Sequence, residues 1–187
     1  MPSSGSVPLI LAACGYVYTT WHTLASEQRR GQIERVNEQV KELYGPLFMC
    51  ITATKSAYDA MARQHSEDGT LKSFDESVKR DHNGVQATAY RSWVREVFMP
   101  LNLQAAKIIM TRADLLESLT IEPGLQQLVA HVSALKVIIK QWDDGDLAAM
   151  SIVSYPDDLL MMIHQQYIRI KRRQAALLGM NSLVPRL

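Results

Sequence analysis

The chain has 187 residues, 47% of them hydrophobic, and its 20 basic and 19 acidic side chains nearly cancel to a formal charge of +1. That length allows one domain with a sizeable core and a short appendage. The balanced charge excludes a global field of the kind that draws nucleic acid, and two cysteines, Cys14 and Cys50, cannot build a disulfide framework.

Residues 1–26 carry no charged side chain. Within them the apolar run Val7–Ala25 supplies 19 residues, close to the roughly 20 that a helix needs to cross a hydrocarbon core of about 30 Å. Leu9, Ile10, Leu11 and Val17 give it aliphatic surface, while Tyr16, Tyr18 and Trp21 are aromatics of the type that settle among headgroups. Thr19, Thr20, His22 and Thr23 dilute its second half. No Lys or Arg precedes the run and no small-x-small site follows it, which argues against a cleaved leader. Residues 1–26 therefore read as a single transmembrane anchor, the competing reading being an ordinary buried helix of a soluble bundle. Arg29, Arg30, Arg35 and Lys41 behind the run predict a body on the cytoplasmic, matrix or stromal side, with the N-terminus outside.

The rest reads as helices. Ile33, Val36, Val40, Leu43 and Leu47 recur at spacings of three and four, one apolar stripe on a helix that continues from the anchor. Gly45-Pro46 predicts an interruption, so residues 27–64 read as a helical hairpin with Phe48, Ile51, Tyr58 and Met61 turned inward. Residues 65–84 read as a polar loop ending in the turn pair Asn83-Gly84, with Leu71, Phe74 and Val78 available to pin it to the body. Residues 85–187 hold the remaining helices. Pro100 must kink a helix or begin one, because it removes a hydrogen bond and crowds the preceding turn. Leu125, Leu128, Val132, Leu135, Ile139 and Trp142 form the next stripe. Ser154-Tyr155-Pro156-Asp157 reads as the start of the last helix. The expected fold is all-α: one N-terminal membrane helix running into a bundle of about four to five helices, with no internal repeat.

Catalytic signatures are missing. None of His22, His65, His82, His131 and His164 belongs to a metal-spaced pair, and no Glu-x-x-His pair, nucleophile elbow or phosphate loop occurs. His131 and His164 lie on different predicted helices, so an enzymatic or ligand-binding bundle using both stays open as the alternative. Asp143, Asp144 and Asp146 lack the spaced ligands of a calcium loop. No cofactor or metal is expected. Arg169, Arg172 and Arg173, with Arg29 and Arg30, are candidate contacts for anionic lipid or an acidic partner, the plainer reading being a solvated helix face. Tyr44, Trp93, Phe98 and Trp142 are either partner contacts or core anchors.

The block Gln28–Leu47, containing RVNEQ at 35–39 and LYGPL at 43–47, resembles a family of small, poorly characterised proteins with an N-terminal anchor and a helical body. WVREVFMPLN (93–102), the helix around His131 to Lys136, and Tyr155-Pro156 resemble later parts of that pattern. The resemblance implies a fold and no activity. Together these features lead to the expectation of a non-catalytic, membrane-tethered accessory or assembly subunit. Its partners would be other subunits of a larger membrane complex and the bilayer, in an energy-converting inner membrane such as the mitochondrial one.

Overall fold

A computed structural model describes residues 6–118 and 120–180, with side chains from residue 15 onward. All regular structure among them is helical: α1 (Ser6–Glu38), a π turn (Gln39–Tyr44), α2 (Gly45–His65), α3 (Leu71–Arg80), α4 (Val85–Trp93), a second π turn (Val94–Phe98), α5 (Met99–Thr111), a 3-10 turn (Ala113–Leu115), α6 (Pro123–Asp143) and α7 (Leu159–Leu177). The first π turn joins α1 to α2 without a break, and the second joins α4 to α5. Five helical rods result among the described residues, in agreement with the bundle expected from the stripes.

Neither proline breaks its helix, and the expected hairpin over 27–64 is one straight-through rod instead. The reason is the wide turn ahead of each proline. The Gly45 N–H donates to the Val40 carbonyl and the Met99 N–H to the Val94 carbonyl, each five residues back. A residue is thereby inserted before Pro46 and Pro100, and the proline rings fall in the first turn of α2 and α5, where no N–H is owed to the preceding turn. The two places share a sequence: Val-Lys-Glu-Leu-Tyr-Gly-Pro-Leu at 40–47 and Val-Arg-Glu-Val-Phe-Met-Pro-Leu at 94–101. This short repeat escaped the sequence reading, which finds none.

The two proline helices pack on each other antiparallel at the centre of the body. Arg112 at the end of α5 reaches Glu42 (3.2 Å), the Thr54 hydroxyl lies 3.2 Å from Asn102 Oδ1, and the Tyr58 and Phe98 rings sit 5.9 Å apart. Each copy of the octapeptide therefore lies beside the far end of the other copy's helix. Leu43, Leu47, Ile51, Met61, Leu125, Leu128, Leu159, Ile163 and Ile170 are shut off from solvent and form the core around this pair. The α6 stripe packs largely as its spacing predicts, with Leu125, Leu128, Val132, Leu135 and Trp142 buried, but Ile138 rather than Ile139 completes it, and Ile139 is half-buried.

The segment expected as a polar loop holds α3. Thr70 caps it by accepting from the Ser73 N–H (3.2 Å), and Phe74 and Val78, one turn apart, are buried against the body. Arg91, itself buried, then clamps the α3–α4 turn by donating to the His82 carbonyl (2.7 Å). Burial lowers the tendency of that guanidinium to hold its proton, and nearby Arg95 adds to the effect. The last helix starts later than Ser154 suggests. Pro156 is buried instead, and α7 begins at Leu159.

Candidate functional site: a free helical arm and the joint at its root

Residues 15–32 of α1 are all exposed, and of their side chains Arg29 alone has a hydrogen bond to the body among the described residues. Tyr16 (73% exposed), Val17, Tyr18, Trp21 (72%) and Leu24 stand open together, which is unusual for so many large apolar side chains on one segment. Leu9, Ile10 and Leu11 belong to the same helix, but their side chains lie outside the described ones. The reading of this segment as a helix buried in its own bundle is thus overturned for residues 15–25, whose side chains are described. From Ser6 to Arg29 the arm extends about 35 Å, at about 1.5 Å per residue.

A lone crossing by this helix is also corrected: among the described residues no helix is long and apolar enough to cross a membrane. Thr19, Thr20, His22 and Thr23 supply the dilution. The threonines nevertheless hide their polarity. Thr19 donates to the Gly15 carbonyl (3.0 Å), Thr20 to Tyr16 (2.8 Å) and Thr23 to Thr19 (2.9 Å), so each hydroxyl proton is satisfied within the helix.

At the root of the arm, α1 and the first π turn meet the end of α7 and the loop after α5. Arg29 Nη2 donates to the Leu177 carbonyl (2.9 Å), closing an open end of α7. Gln174 Nε2 donates to Asn37 Oδ1 (2.7 Å), Arg35 donates to the Asp114 carbonyl, and the buried Gln39 donates to the Leu115 carbonyl (2.9 Å). Glu117 is the centre of this joint. Its carboxylate holds Arg169 (2.8 Å) and Arg173 (3.2 Å), while its N–H donates to the Tyr44 hydroxyl (3.3 Å). Burial pushes the Tyr44 phenol above its ordinary value. Hydrogen bonding and charge from Lys41, then charge from Arg112, hold the Glu42 carboxyl below the usual range.

The structure sorts the candidate residues. Arg29, Arg169 and Arg173 are engaged inside the joint, Arg30 pairs with Glu34 one turn on (3.1 Å), and Arg172 is exposed beside them. Tyr44, Phe98 and Trp142 are corrected as partner contacts: at 3–5% exposure they are core, and Trp93 is half-buried. His131 and His164 do not form one site. His131 Nδ1 lies 2.7 Å from the Val153 carbonyl and its ring meets Tyr155 edge-on, whereas His164 stacks on Phe48 at 5.3 Å. Among the described residues no three His, Cys, Asp or Glu side chains are grouped so as to hold a metal ion. The Tyr155 hydroxyl is buried without a partner among the described residues, and burial pushes its ionisation up to about 12.

No protein-family model matches the chain, and neither a curated protein nor a solved structure matches it.

Proposed function

We propose that this protein is a non-catalytic accessory or assembly subunit of a membrane protein complex, with the α1 arm as its point of attachment. The observation that carries the reading is the arm itself: a helix without charge up to Ser26, standing clear of the body, with five large apolar or aromatic side chains open to their surroundings. Burial of those side chains elsewhere is strongly favourable, at about 1.5–3 kcal/mol for each one fully covered.

The polar dilution of the arm fits a helix packed among other membrane helices better than one facing lipid on every side. Small and hydroxyl-bearing residues such as Gly15, Thr19 and Thr23 follow one another every four positions, a spacing that allows close approach of a neighbouring helix. Val17, Trp21 and Leu24 occupy the other side, three and four apart, and would meet acyl chains. Arg29 and Arg30 at the root then lie at the headgroup level of a cytoplasmic, matrix or stromal face, with the body beyond them.

Alkaline carbonate treatment of native membranes, followed by native electrophoresis after mild detergent, tests this reading. The full chain is expected in the membrane pellet and in a band much larger than its own mass. Release into the supernatant together with migration as a single chain would overturn it.

A further inference from the structure

A second unpartnered surface lies on the far side of the bundle centre, between α5 and α6. It is an open groove of about 430 Å³, floored by Ala106 and Val132 and flanked by Leu103 and Met110, with Lys107 on one wall and Lys136 on the other. Met110 is 64% exposed and Leu103 37%. Neither lysine forms an ion pair among the described residues. In a chain with nearly equal numbers of acids and bases, α5 and α6 together carry a single acid, Asp143 at the far end of α6, and its carboxylate is already bound to Arg95 (2.7 Å). Lys140 continues the Lys136 row one turn on. The groove is therefore an apolar trough with uncompensated positive walls.

We infer that this groove docks an amphipathic helix of a partner protein, apolar on its buried stripe and acidic along its flanks. The shape selects the occupant. An acyl chain or a small amphiphile is held by enclosure that covers most of its surface, whereas this trough is about half open to solvent. From Leu103 to Met110 it spans about 10 Å, close to two turns of helix, so that side chains at helical spacing enter it while flanking carboxylates face Lys107 and Lys136. Positive charge on both walls fixes register against flanking carboxylates and excludes basic helices. The inference rests on the partner-binding half of the proposed function and is independent of how the arm is buried.

The test is a fluorescence-anisotropy titration of full-length protein in phosphatidylcholine nanodiscs, with empty discs as the blank. The probes are two labelled helical peptides of about 20 residues with a leucine stripe, one flanked by glutamate and its twin by lysine. The glutamate peptide should bind at least about tenfold more tightly, and the Lys107→Glu/Lys136→Glu variant should reverse that order. Met110→Asp should weaken the glutamate peptide with an unchanged melting midpoint. Equal binding of the two peptides, or an order that survives the charge reversal, overturns the inference. So does self-association of the chain that Met110→Asp abolishes, or displacement of the glutamate peptide by oleate or phosphatidylglycerol vesicles. A chain that fails to enter nanodiscs is titrated free in buffer, so failure of the arm and failure of the groove are separate results.

Discussion

Tyr44 and Glu117, 73 residues apart, meet where the first π turn faces the loop after α5: the Glu117 N–H donates to the Tyr44 hydroxyl while the Glu117 side chain ties down α7. One short loop thereby fixes the root of the arm to two other helices.

Glu117→Ala releases Arg169 and Arg173, whose side chains are 66% and 52% exposed and can return to water. The expected loss of stability is therefore modest, about 1 kcal/mol. Tyr44→Phe leaves the Glu117 N–H without its acceptor and should cost a similar amount, about 0.5–1.5 kcal/mol. Urea titration of each variant measures both; if neither moved the midpoint, the joint would have no energetic role.

Gly45→Ala tests the first π turn. A Cβ there would come 2.5 Å from the Val40 carbonyl oxygen, a backbone atom that cannot swing aside. The expected destabilisation is about 1–3 kcal/mol. Gly31→Ala, where a Cβ meets nothing within 4 Å, should be neutral or slightly stabilising because alanine favours helix. Equal thermal midpoints for the two variants would show that the wide turn tolerates a side chain.

Alkali should unfold the protein through its tyrosines. Tyr155 ionises at about 12 in the folded chain against 10 when unfolded, and Tyr44, Tyr58 and Tyr90 are displaced upward as well, chiefly by burial. A raised folded value means that the unfolded chain loses its protons first. Stability is then fully present below about pH 10 and falls as pH rises from there toward 12. Tyr155→Phe removes one contributor and a buried hydroxyl that has no partner, so it should leave stability at neutral pH unchanged or higher and flatten the alkaline decline. Melting midpoints between pH 8 and 11 decide this, and an identical alkaline slope in the variant would refute it.

Val17→Lys and Trp21→Lys place charge on the arm. Both side chains are mostly exposed, so the body should melt unchanged. If the arm lies among acyl chains as proposed, a lysine there costs up to about 2.5–3.5 kcal/mol, so each variant should shift from the membrane pellet to the supernatant on carbonate treatment. Full retention of both would show that the arm is not held among acyl chains.

Much of the body was readable from apolar spacing, since α6 buries five of the six residues its stripe nominates, with Ile138 buried where Ile139 was expected. Three features were not. Gly45-Pro46 reads as a stop in any local rule, and only the five-residue hydrogen bond from Gly45 to Val40 lets the helix pass through. The α3 segment is so polar overall that Leu71, Phe74 and Val78 were its only core signal, weak beside eight neighbouring charges and the Asn83-Gly84 turn, and its cap at Thr70 was not picked out. The octapeptide repeat was hidden because conservative exchanges (Lys41 with Arg95, Leu43 with Val97, Tyr44 with Phe98) preserve chemistry while erasing identity. At the surface the limit was different. An aromatic on a helix looks the same whether it faces core or partner, so Tyr44, Phe98 and Trp142 could be placed only by packing.

The uninterrupted run from Ser6 to His65 makes the molecule a lever. It is about 90 Å long, with its fulcrum at the π turn and its inner limb, α2, forming the axis around which the other helices are assembled. A swing of about 10° at the fulcrum would carry the tip of the outer limb, about 50 Å away, roughly 9 Å sideways. Any tilt imposed on the arm by its neighbours is thus delivered mechanically to the middle of the body, with the Glu117 latch as the element that must hold or give.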